Sequence, residues 1–123
     1  MPVERDPSLD ALLELDGQVL VIDPETRHWV RFVVRRVPVT EPKPHGLDYS
    51  LTLHRPDGER LVGFDNAHPV RTGSGPAGRA GGVFDHRHRM RTVRPYDYRD
   101  AATLLVDFWT EVDAVLRDKG VLP

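Results

Sequence analysis

Tyr49-Ser50-Leu51-Thr52-Leu53-His54-Arg55-Pro56-Asp57-Gly58-Glu59-Arg60-Leu61-Val62-Gly63-Phe64 carries the pattern on which the fold turns. Tyr49, Leu51 and Leu53 alternate with Ser50, Thr52 and His54, the signature of a strand with one buried face. Pro56-Asp57-Gly58 is tight-turn chemistry, and it leads into a second strand from Arg60 to Phe64. The centre of the chain is therefore an antiparallel hairpin.

Working outward towards the N-terminus, Trp29 to Val39 reads as a long strand. Val30, Phe32 and Val34 keep one phase, and the Arg35-Arg36 pair breaks it, which predicts a bulge. Pro38 places the end of that strand at a sheet margin. Asp23-Pro24-Glu25-Thr26 is a turn, preceded by a short β-branched strand from Gln18 to Ile22. Ser8 is the expected cap of a short helix over Leu9 to Leu15, and residues 1–7 form a loose arm.

Towards the C-terminus, residues 66–82 are a Gly/Pro-rich loop, a length that usually marks function or disorder. Val83 to about Arg89 reads as a further short strand or an extended segment. Asp100 then caps a long helix in which Leu104, Leu105, Phe108, Trp109, Val112, Val115 and Leu116 make one apolar stripe. Gly120 is placed to end it in the left-handed conformation. The expectation is a single α+β domain over 1–123, with an antiparallel meander of about four to five strands packed against the C-terminal helix in two layers.

The 123 residues include no cysteine, which excludes disulfides and thiolate metal sites and fits a reducing compartment. No apolar run is long enough to span a bilayer, and Met1 to Pro7 lacks a signal peptide's pattern. The cytoplasm is the default location, with no membrane partner. A net charge of −2 argues against strong non-specific nucleic-acid binding. Yet Arg79, Arg87, Arg89, Arg91 and Arg94 cluster late in the chain, opposed within residues 79–94 by Asp85 alone.

Chemistry concentrates in Phe84-Asp85-His86-Arg87-His88-Arg89 and in the earlier Gly63-Phe64-Asp65-Asn66-Ala67-His68. On an extended backbone His86 and His88 point the same way. Imidazoles titrate near neutrality, so one can accept a proton while the other donates one. RNA supplies its own nucleophile, the 2′-hydroxyl. The sequence therefore offers His86 and His88 as base and acid, with Asp65 orienting a ring and His68 nearby. Asn66, Arg87, Arg89 and Arg91 would hold the substrate. No cofactor is called for. A metal site built on the two histidines with Asp65 or His68 is a third reading, since His-x-His alone is a weak signal. In the plainest reading these residues only solvate a strand end, and Asp65-Asn66 is turn chemistry.

The order of these motifs resembles the TumE-like toxin family. The likeness rests on Gly-Phe-Asp-Asn-Ala-His (63–68), a variable loop, Phe-Asp-His-Arg-His-Arg (84–89), Arg-Pro-Tyr (94–96) and Asp-Ala-Ala-Thr-Leu-Leu-Val-Asp-Phe (100–108). It implies the toxin of a two-gene module, an RNA-directed action, and a DNA-binding helix-turn-helix antitoxin as partner. By position, Asp65, Asn66, His68, His86 and His88 match the family's polar motif. The acidic pI departs from a basic RNA-cleaving surface.

Two functional expectations follow. One is an RNase-like toxin using metal-independent histidine acid/base chemistry. The other is a non-enzymatic protein that binds a partner through its sheet edge or the stripe around Trp109, with the histidines incidental or holding a metal. A homodimer through a sheet edge or the C-terminal helix is compatible with both.

Overall fold

A computed structural model describes residues 8–39, 46–66, 85–90 and 92–122. The elements run α1 (Leu9–Glu14), β1 (Val19–Val21), β2 (Trp29–Arg36), β3 (Leu47–His54), β4 (Arg60–Asp65), β5 (His86–Arg89), β6 (Thr92–Pro95) and α2 (Ala101–Asp118). All six strands form one sheet in sequence order, each antiparallel to its neighbour. The α+β meander against a C-terminal helix is as the sequence implied. Its sixth strand, β6, was not expected: Thr92-Val93-Arg94-Pro95 is short and exposed throughout, so no alternation marks it.

One face of the sheet makes the core. Val30, Phe32 and Val34 of β2, Leu47, Tyr49, Leu51 and Leu53 of β3, and Val62 and Phe64 of β4 are buried. Leu104, Phe108, Val112, Val115 and Leu116 of α2 are buried with them in the same cluster. Phe108 sits edge-on to both Phe32 and Phe64, with centroids 5.8 and 6.0 Å away. That is a favourable aromatic geometry on top of the area removed from water. Trp109 packs against Phe32 and Phe108, so the stripe around it is largely core rather than a free docking surface.

The helix ends follow their chemistry. Asp100 caps α2 by accepting the Thr103 N–H at 2.7 Å. Gly120 takes φ +76° just beyond the other end, as the sequence suggested. Ser8 departs from its expected role. It stands at the start of α1 but makes no side-chain cap there. Its hydroxyl instead accepts the Ala102 N–H at the start of α2. One oxygen thus satisfies an orphan donor of a different helix.

The bulge expected at Arg35-Arg36 is absent, because β2 pairs with β3 without a break from Trp29 to Arg36. The irregularity lies between β3 and β4, where the register shifts at Leu53/His54. Leu61, buried beside it, has no partner in the β3–β4 register and is the extra residue of the slip. Among the described residues no helix is long and apolar enough to cross a membrane.

Candidate functional site

Antiparallel pairing decides which side chains meet. Directly opposed residues share a face, and successive residues alternate. Thr52 of β3 pairs with Gly63 of β4, and Gly63 with His88 of β5. One step along, Ser50 pairs with Asp65 and Asp65 with His86. Thr52, Asp65, His86 and His88 therefore stand together on the face turned away from α2.

There the two imidazoles converge on one carboxylate. His86 Nε2 lies 2.7 Å from Asp65 Oδ1, and His88 Nε2 lies 3.1 Å from Oδ2. The side chains of Asp65, His86 and His88 are only 12, 6 and 18% exposed. The rings meet edge to face at 4.7 Å. Burial, and then the nearby charge of Arg60, hold the His88 pKa below the usual imidazole value, against the opposing pull of Asp65. The donor atoms of the three residues all lie within 4.8 Å of one another, and carboxylate with two imidazoles is a ligand set suited to first-row divalent ions.

The arginines chosen from the sequence fare differently. Arg87 and Arg89 alternate with the histidines, so they face α2. Arg89 bonds there to Glu111 and Asp118. Arg87 lines a small cavity with Glu111 and a second with Thr103 and Asp107, again on the α2 side. Both therefore stand on the side of the sheet away from the imidazoles. His68 and Arg91, and the loop over 67–84, lie outside the described residues.

Asn66 is also reassigned. It is fully buried, accepts the Tyr49 N–H at 3.1 Å and donates to the Leu47 carbonyl at 2.8 Å. Its amide thereby imitates one more residue of the β3–β4 ladder, a structural task that occupies groups expected to hold substrate. The neighbouring Asp85 is buried as well and accepts the Tyr49 hydroxyl at 2.7 Å. Burial, and then Asp85, push the Tyr49 pKa well upward, so this phenol is a locked donor.

Arg60 is the residue that sequence reading passed over. A Cβ at Gly63 would stand 3.3 Å from Arg60 Cδ and 3.5 Å from its Nε and Nη1. The glycine thus leaves a notch in which the arginine lies across the sheet towards His88. The clue was present: a glycine inside a strand marks a close approach.

The family model for the toxin TumE matches residues 11–116. No curated protein and no solved structure matches the chain. The match takes in every described strand and nearly all of α2, and it covers the Asp65, His86 and His88 cluster: the chain belongs to the TumE toxin family, and its place is in a toxin module beside a cognate antitoxin.

Proposed function

We propose that this toxin holds a divalent first-row transition-metal ion at Asp65, His86 and His88 and uses it to cleave a phosphodiester of RNA. The observation that carries the reading is the convergence of two imidazole Nε2 atoms on the two oxygens of one carboxylate. Ligands at about 2.1 Å in a tetrahedron stand roughly 3.4 Å apart, so small ring rotations would close these donors on an ion. Without metal the Asp65 carboxylate accepts hydrogen bonds from both rings. To hold a metal, each ring would carry its proton on Nδ1 and present the Nε2 lone pair, and protons would compete with the ion for those nitrogens as pH falls. A bound ion supplies Lewis acidity and an activated water.

Metal-independent acid/base chemistry, the other expectation, fits this geometry less well. An in-line displacement places the attacking and leaving oxygens on opposite sides of phosphorus. A base and an acid must then bracket the phosphate. Two rings tied through the same nitrogen to one carboxylate point at a common spot instead.

Equilibrium dialysis of the purified protein against Mn²⁺, Co²⁺ and Zn²⁺ tests the reading. One ion per chain is expected, reduced at least tenfold in affinity in Asp65→Asn and in His86→Ala/His88→Ala. Both variants should also lose growth inhibition when expressed without the antitoxin. Wild-type protein that binds no divalent ion, or an undiminished toxin in the double variant, would sink the proposal.

A further inference from the structure

The acidic composition conceals an unequal distribution of charge: the helices are acidic, and arginines stand on both faces of the sheet. Asp10 and Glu14 of α1, and Asp107, Glu111, Asp113 and Asp118 of α2, put the acids of both helices on one side, with Arg117 as the only base in those elements. Across the sheet, the face away from α2 carries Arg31 and Arg35 of β2 and Arg60 of β4. Arg35 is the cross-strand partner of Asp48. Asp65 is already engaged by two imidazoles. No carboxylate pairs with Arg31 or Arg60 among the described residues, whereas Arg55 and Arg99 each have one and Arg89 has two.

These free cations are aligned. Arg31, Thr52, Gly63 and His88 are successive cross-strand partners on β2, β3, β4 and β5. At about 4.8 Å per strand the row runs roughly 14 Å, with the Arg60 side chain lying over its glycine. Arg31 and Arg60 are both exposed. Val19 of β1 and Val93 of β6 extend the row at its two ends, and between them it passes from the Arg31 guanidinium, by that of Arg60, to the imidazole of the reactive cluster.

We infer that this row is a track for the phosphodiester backbone of a single-stranded nucleic acid, with Arg60 taking the phosphate beside His88 and Arg31 a neighbouring one. Guanidinium groups match phosphate oxygens in pairs, and a run of them follows a polyanion. A single strand fits better than a duplex, because the cluster at the end of the row is mostly buried. A flexible backbone can bend its phosphate into such a recess, and a rigid cylinder cannot. The inference rests on the proposed reactive centre for the direction of the track, but not for the track's affinity.

The test is fluorescence anisotropy with a labelled oligouridylate in the presence of chelator, where no metal-dependent cleavage occurs. Arg60→Ala and Arg31→Ala should each weaken binding about tenfold, and each should lower the salt slope by roughly 0.7. Arg117→Ala, on the helix layer, is the charge-matched control and should change neither. Equal binding of the matching deoxyoligonucleotide would support recognition through phosphates, and preference for the ribo-oligonucleotide would support the track with added contacts to the sugar. Unchanged affinity in either arginine variant, an equal loss in Arg117→Ala, or tighter binding of duplex than of single strand would overturn it. So would variants that lose the antitoxin but keep the oligonucleotide, since the face would then be a protein-docking surface. Metal dialysis of Arg60→Ala separates the two proposals. Retained metal with lost oligonucleotide supports the track, and intact oligonucleotide binding in Arg60→Ala refutes it while leaving the metal centre standing.

Discussion

The two faces of the sheet follow opposite rules although they alternate residue by residue along the same strands. Against α2, nearly every position on β2, β3 and β4 is apolar and buried, and Phe108 fits edge-on between Phe32 and Phe64. On the other face stand Arg31, Thr52, Asp65, His86 and His88, with Arg60 laid over a glycine. The first face holds the protein together. The second is held in place by it, and a buried imidazole, a half-buried one and a buried carboxylate there are tolerated because they satisfy one another. The lesson is that a His-x-His pair and the arginines between and beside its members need not work together. One residue of offset sends His86 and His88 to one side and Arg87 and Arg89 to the other.

The sharpest way to break the contrast is in the core. Phe108→Ala should cost about 3–5 kcal/mol of unfolding free energy in urea titrations. The fraction that remains folded should keep the His86–Asp65–His88 cluster and the metal affinity proposed for it. Loss of metal binding from the folded fraction would mean that the two faces are not separable.

A smaller effect is expected at Arg89, whose partners Glu111 and Asp118 lie on α2. Its side chain is 40% exposed, so Arg89→Ala should lower stability by no more than about 1 kcal/mol. Growth inhibition should persist. A folded but harmless Arg89→Ala protein would return this arginine to the working face.

The smallest effect concerns pH. His28 is nearly buried at the margin of the helix-covered side, in a cavity of about 540 Å³ lined also by Thr26, Arg55, Pro56 and Lys119. Burial holds its pKa below the usual value, the charges of Arg55 and Lys119 add to this, and Asp23 opposes it. The unfolded chain therefore takes up this proton first. The stability linked to His28 is fully present above about pH 6.5 and declines as pH falls towards the folded value. Thermal melts across pH 5 to 8 should show that slope, flattened in His28→Gln. An unaltered slope in the variant would assign the linkage to other groups.

Much of the architecture was legible in the chain because periodicity reports burial directly. The β3–β4 hairpin, α2 with its Asp100 cap and Gly120 terminus, and the antiparallel order all announce themselves locally. Elements with little to bury were harder to read. β6 is exposed at all four positions, and Ser8 turns its hydroxyl to a helix that is distant in sequence. The cluster was half legible. Asp65, His86 and His88 could be singled out by residue type, but Asn66 looks like a ligand until its two backbone partners are seen.

The sequence by itself determined the layers, the hairpin and the shared direction of His86 and His88, because each depends on alternation within one strand. Only the tertiary structure decided that Asp65 stands between those imidazoles and that Arg60 rather than Arg87 or Arg89 borders them. Those facts depend on cross-strand register and on the packing of α2. Both arise from contacts between residues far apart in the chain, and a one-residue slip in register would have sent every side chain on the strand to the other face.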